Sequence, residues 1–285
     1  MTLAVGIPYP VKGMAELAEP GWVPSRSIIL ATDSRWTWQF PDGHTEVEDR
    51  GSKMFKVHER TIAVYAGESK LGEQCLGELR WSFRTGRLPT SKLGRDNARD
   101  VFSHVYKTRC ASRGRQSTSP ALYFVLGTCT PTGQTELCYF SYEDGFAPQV
   151  VTTYKAIGWT EAVRHFDSLF KSYLDIALDR ERQLQERFPN VVGSFYSLNN
   201  QICPMEIAMF AAGAIREIID NGLDYTVGGH VQCAIVNPSS IDLPTFKYTT
   251  DPTNEGPGWT RATVNPGELK TLTNALGIYD PRELA

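Results

Sequence analysis

Four short stretches carry residue types that could do chemistry together: Met1-Thr2-Leu3, Asp33-Ser34-Arg35, Gly51-Ser52-Lys53 and Ala66-Gly67. A threonine that becomes the first residue of a chain holds a hydroxyl and an α-amine on one residue. The amine's reference pKa of about 7.7–8.0 leaves a fraction unprotonated near neutrality, so it can take the hydroxyl proton as general base. Thr2 gains that amine only when Met1 is removed, which its small side chain makes chemically plausible. Such a nucleophile needs a cation to lower its proton affinity, an acid to hold that cation, and an N–H for the developing oxyanion. Lys53, Asp33 and Gly67 are of those types. Each also has a plainer reading: Thr2 as the start of a strand, Asp33 and Arg35 as a turn-capping ion pair, Lys53 as a solvated strand end, Gly67 as a turn glycine.

The elements that must position these residues can be read from periodicity. Short apolar runs bounded by turn residues predict strands at TLAVGI, at 27–33, 53–57 and 61–67, nearly continuous as in strands covered on both faces. The Pro/Gly-rich stretch 8–25 cannot be a regular strand throughout. Leu71, Leu76, Leu79 and Phe83 mark a helix, and Ala98, Val101, Phe102 and Val105 a second. Strands return at 121–128, 136–143 and 150–158. A helix follows from Ala162 to Ala177, with a polar run to Arg187 that can prolong it, then another over 204–220 with Pro204 in its first turn. Strands at 230–237 and 244–250 close the pattern, and the Pro/Gly/Thr-rich tail carries a possible short helix at 267–275. Blocks of strands and helices segregated in this way argue against alternating βαβ units. They predict an α+β fold, a four-layer αββα sandwich: one domain over 1–250 with an insertion at 8–25, and a C-terminal extension over 251–285.

T-L-A-V, I-L-A-T-D-S-R-W-T, G-S-K-M-F-K-V and V-Y-A-G-E-S, in that order, resemble the N-terminal half of proteasome β-type subunits, a family that includes HslV and the Anbu proteins. L-D-Y-T-V-G-G-H (223–230) resembles the family's D-x-x-S-G-G segment, and the resemblance spans roughly residues 1–250. It implies an N-terminal nucleophile hydrolase, threonine type, that cleaves peptide bonds through an acyl-enzyme on Thr2. Asp33 would orient Lys53, Lys53 would lower the pKa of the Thr2 hydroxyl, and Gly67 would supply the oxyanion N–H. Asp224 matches a supporting aspartate. Thr37 and Ser69 would hold the peptide backbone, Arg35 belongs to the D-S-R motif at the substrate site, and Tyr65 falls at the first specificity pocket. The resemblance also implies self-association into a ring, with any ATPase unfoldase a separate chain, since no G-x-x-x-x-G-K loop is present.

The chain departs from the family at several points. Aligning T-L-A with the family's T-L-A places the nucleophile before Met1; Thr2 itself is preferred, because only it can offer a free threonine amine. The family's serine in a G-S-G turn is absent from Ala156-Ile157-Gly158-Trp159-Thr160, with Thr160 and Thr226 as candidate substitutes. Trp36 stands where many members have a small residue. A non-hydrolytic scaffold subunit and a small-molecule amidase on the same fold remain the alternatives.

Composition narrows the field further. A net charge of -3 argues against a general electrostatic grip on nucleic acid, and no run approaches a membrane span. No basic-apolar-small leader precedes Thr2. The six cysteines and five histidines are scattered, which predicts reduced thiols in a cytoplasmic protein rather than a disulfide framework or a metal site, and no cofactor is implied.

Overall fold

Antiparallel strands account for the two main sheets, as the segregated blocks require. The computed structural model describes residues 2–11, 26–39, 42–49, 51–88, 95–112, 120–130, 132–187, 203–238, 240–244, 246–249 and 258–261. Residues 12–25 of the expected insertion and the 267–275 segment lie outside the described residues.

In chain order the strands begin with β1 (Leu3–Tyr9), β2 (Ser27–Thr32), β3 (Trp36–Gln39), β4 (Thr45–Glu48), β5 (Met54–His58) and β6 (Thr61–Gly67). Helices α1 (Ser69–Arg84) and α2 (Arg95–Ser112) follow, then β7 (Leu122–Cys129), β8 (Thr135–Ser141), β9 (Gln149–Val150) and β10 (Lys155–Gly158). Next come α3 (Thr160–Arg187), α4 (Pro204–Asp220), β11 (Gln232–Val236), β12 (Ile241–Asp242), β13 (Phe246–Thr249) and β14 (Gly258–Arg261). One five-stranded sheet has the order β10-β1-β2-β11-β12, the other β5-β6-β7-β8-β9. The pairs β3-β4 and β13-β14 form separate ribbons.

Alternation along the strands sorts their side chains into distinct cores. Leu3, Val5 and Ile7 of β1 pack with Phe166 and Phe170 of α3 and Ile207 and Ile215 of α4. On the other sheet, Ala63 and Tyr65 of β6 and Phe124 of β7 pack with Leu76 of α1 and Phe102 of α2. The intervening residues, Ala4, Leu30 and Ala234 from the first sheet and Val64, Ala66 and Val125 from the second, share a third core. Two glycines set how closely those last faces meet. A Cβ at Gly6 would lie 2.5 Å from Val125 Cγ1, and one at Gly127 would lie 2.8 Å from Ile28 Cγ2.

The helices start and extend as expected. The Glu68 carboxylate caps α1 by accepting from the Leu71 N–H at 2.6 Å, and Pro204 opens α4 where its missing N–H is not needed. The polar run to Arg187 does prolong α3.

The structure adds detail at four points. The single strand 150–158 is two: Val150 pairs with Cys138 in one sheet and Gly158 with Leu3 in the other, so the chain crosses between sheets in the middle. The strand expected over 244–250 is preceded by a short strand, β12, that pairs with β11. The 8–25 stretch begins in regular structure, since Pro8 and Tyr9 still pair with Ile28 and Ser27. Proline is tolerated there because the pairing of β10 stops at Gly6 and leaves that side of β1 without a ladder partner among the described residues. The ribbon β3-β4 was not foreshadowed, because its four-residue strands hold no apolar run.

Phe102 tests the core on α1 and α2. It stacks on Phe124 at 4.1 Å and meets Phe140 edge-on at 5.4 Å. Phe102→Ala is expected to cost about 3–5 kcal/mol in urea unfolding, with the far-ultraviolet circular dichroism of the folded state retained.

Candidate active site

At one end of the first sheet β1 begins, β2 ends, β10 ends and β11 begins, and β5 of the second sheet begins against them. The link is a buried ion pair. Asp33 follows β2 and Lys53 precedes β5; they are 0% and 1% exposed. Lys53 Nζ donates to Asp33 Oδ1 at 3.2 Å and Oδ2 at 3.3 Å, and to the Arg35 carbonyl. Three backbone N–H groups complete the carboxylate: Leu3 on Oδ1 at 3.0 Å, and Arg35 and Gly228 on Oδ2, each at 3.1 Å. Each of these partners is a donor, an arrangement that suits an ionised carboxylate. Burial pushes Asp33 up, opposed by Lys53 and by the N–H groups of Leu3 and Gly228. Burial also lowers the Lys53 pKa, opposed mainly by Asp33. Lys53 is therefore a poised buried cation and not the solvated strand end of its plainer reading.

Thr2 sits one peptide bond from this pair and is 4% exposed. Leu3, the next residue, donates to Asp33, and its carbonyl accepts from the Thr32 hydroxyl at 2.9 Å and the Asp33 N–H at 3.2 Å. Gly158 closes the other side: with φ at +141°, any Cβ there would lie 1.8 Å from the Thr2 carbonyl oxygen. Trp159, in the segment that lacks the family's serine, is 44% exposed.

Arg35 pairs with a residue that the sequence did not single out. Its Nε and one terminal nitrogen grip Asp49 at 2.6 and 2.9 Å, and the other terminal nitrogen donates to the Tyr225 carbonyl at 3.0 Å. The Asp33–Arg35 ion pair of the plainer reading does not form; this clamp takes the guanidinium, and only the Arg35 backbone N–H reaches Asp33. Ser34 adds to it, donating to the Asp49 carbonyl at 2.9 Å and accepting from the His230 N–H at 2.7 Å. Gln232 spans the site's floor, accepting from the Lys53 N–H and donating to the Gly51 carbonyl, both at 3.4 Å. The Trp36 indole fills the space over Gly51, 2.2 Å from where a Cβ would stand.

Asp224 is brought to the same end by its loop, yet its carboxylate is engaged locally. Oδ1 accepts from the Thr226 N–H at 2.8 Å and the Thr226 hydroxyl at 2.6 Å, while Gly228 in the same loop reaches Asp33. Thr226, one candidate for the absent serine, thus holds Asp224, and Thr160 is the first residue of α3. Gly67 ends β6 with φ at +116°, and a Cβ there would lie 2.1 Å from the Ala121 carbonyl oxygen, so only glycine fits. Ser69 opens α1. The Thr37 hydroxyl is buried and has no hydrogen-bond partner among the described residues. Tyr65 is buried beneath Gly67 on the α1 side of its sheet.

No protein-family model matches this chain, and no curated protein matches it. No helix among the described residues is long and apolar enough to cross a membrane.

Two substitutions separate the pair from the clamp. Lys53→Met strands a buried carboxylate and is expected to cost about 3–5 kcal/mol in urea unfolding. The hydrogen-bonded Arg35 guanidinium holds the Asp49 carboxyl below the usual carboxylate range. Asp49 is half-exposed, so Asp49→Asn is expected to cost under about 1 kcal/mol at neutral pH. A depressed folded pKa stabilises above the unfolded value of about 3.9 and is lost as pH falls through the folded value. The difference between the two proteins should therefore shrink progressively in unfolding curves as pH falls from about 4 through the folded value.

Proposed function

We propose that the chain is a threonine-type N-terminal nucleophile hydrolase of the proteasome β-subunit kind, built as a four-layer αββα sandwich and acting on peptide bonds. What carries this reading is the buried Asp33–Lys53 pair suspended from the Leu3 N–H, one peptide bond from Thr2. A hydrolase of this type needs a desolvated cation near its threonine hydroxyl, and the reading is supported by Lys53, buried and with a lowered pKa, on the carboxylate that also takes the Leu3 N–H.

In the proposed reaction, removal of Met1 frees the Thr2 amine. The Thr2 Oγ attacks the substrate carbonyl carbon while its proton passes to that amine, with the Lys53 charge favouring the alkoxide. The oxyanion is received by the Gly67 N–H, a contribution of about 2.7–4 kcal/mol for one such donor. Collapse breaks the C–N bond, and the proton on the Thr2 amine goes to the leaving amine. Water then attacks the ester, its proton again taken by the amine, and the acid departs from a regenerated Thr2. Asp33 holds Lys53 in place. Thr37, with a buried hydroxyl still to be satisfied, and Ser69 would line the bound peptide. Arg35 acts by clamping the β3-β4 ribbon to the Asp224 loop. Assembly into a ring, with any unfoldase as a separate chain, belongs to the same proposal.

The test is covalent labelling. Processed protein treated with a peptidyl electrophile should gain one adduct by intact mass, mapped to Thr2, and Thr2→Ala should gain none. An unlabelled Thr2 in folded, processed protein would contradict the hydrolase and favour a scaffold subunit.

A further inference from the structure

The two helix pairs carry opposite charge. Seven Lys and Arg stand against four Asp and Glu in α1 and α2, whereas α3 and α4 hold six against nine. Cations of the α3–α4 pair are largely taken within it: Arg164 by Glu161, Arg182 by Asp179 and Arg216 by Asp220. Asp175 is exposed, and no cationic side chain pairs with it among the described residues. On the α1–α2 pair the surplus is positive. Arg84 and Arg99 are exposed, and no carboxylate pairs with either among the described residues. Such charges add little to the stability of one chain, but they are a field that a second surface can meet.

Each pair also presents a large apolar side chain to solvent. Trp81 of α1 is 43% exposed, with the Arg87 guanidinium 4.0 Å from its ring centroid. Ile176 of α3, beside Asp175, is 66% exposed, the most of any large hydrophobic among the described residues. An apolar centre with a charged rim is the usual make-up of a docking surface. The positions along the helices also correspond. Helix α1 starts just after Gly67 and α3 just after Gly158, so both run away from the Thr2 end. At about 1.5 Å per residue, Trp81 lies about 18 Å along α1 and Ile176 about 24 Å along α3. Burial, then Glu68 and Cys110, raise the Cys75 thiol, so the middle of α1 faces the end of α2 and Arg99 returns to the Trp81 end.

We infer that the α1–α2 face of one copy of this chain docks head to tail on the α3 face of a second copy. Ile176 would meet Trp81, and Asp175 and Asp179 would meet Arg84, Arg87 and Arg99, whose forked guanidinium groups suit carboxylates. Repeated contacts between unlike faces build a ring where the rotation closes. The inference rests on the layered arrangement and self-association proposed above, whose faces it names, and not on catalysis.

Charge reversal tests it by sedimentation velocity, with circular dichroism to check that each variant is folded. Wild type is expected to assemble at about 50 mM salt, with association weakened about tenfold or more by about 500 mM. Arg84→Glu/Arg99→Glu makes both faces acidic and should leave monomers, and Asp175→Arg/Asp179→Arg makes both basic and should do the same. Mixed in equal amounts, the two variants should assemble, because each then meets faces of opposite sign. A wild-type chain that stays monomeric at about 100 μM, or a mixture that does not assemble, would overturn the contact. Assembly lost only on reversing the basic face would assign that face to some other acidic surface and overturn the second copy as its occupant. Assembly retained by both variants alone would overturn the contact and leave the proposed ring to other faces, while labelling of Thr2 reads the hydrolase separately.

Discussion

The carboxylate of Asp33 is the point from which this end of the molecule is organised. It is fully buried and draws together the start of β1, the turn after β2, the Gly228 loop and Lys53 from the second sheet. Removing two charges from water is expensive, and a buried pair is weak support for stability compared with an apolar core of the same volume. The pair is better understood as a device for position. It ties four segments of the chain to one oxygen pair, and it leaves a desolvated ammonium beside the first residues of the chain.

Everything around that pair restricts how the segments can move. Gly158 and Gly67, both at positive φ, let a carbonyl approach closer than any other residue would allow, at Thr2 and at Ala121 respectively. The Arg35–Asp49 fork and its reach to Tyr225 fasten the β3-β4 ribbon to the loop that carries Asp224 and Gly228. Gln232 joins the base of β11 to the two residues flanking Ser52. Positioned in this way, the catalytic geometry of the proposed reaction depends on strand ends and tight backbone approaches rather than on mobile side chains.

Much of this was legible in the residues. Asp33, Lys53 and Gly67 were singled out because a threonine nucleophile requires a cation, its holder and an N–H, and Asp33 and Lys53 meet in a buried contact. The helices and most strands followed from their periods of 3.6 and 2. Less was legible where partners lie far apart in sequence. Nothing in the pattern pairs Arg35 with Asp49 in preference to Asp33, two residues away; only the turn geometry, which lends the Arg35 N–H to Asp33, sends the guanidinium elsewhere. Gly228 lay in a quoted motif, yet its N–H on Asp33 depends on a loop path that spacing cannot give. The β3-β4 ribbon has no apolar run to signal it, and the division of 150–158 between two sheets is a tertiary event, invisible to local alternation.

The account depends on the Thr2 amine being free, and the intact mass of the natively expressed protein measures that directly. It predicts a single species lacking Met1, with Thr2 as the first residue by N-terminal peptide sequencing. A population that uniformly retains Met1 would contradict it, since the Thr2 nitrogen would then be an amide that cannot accept the hydroxyl proton.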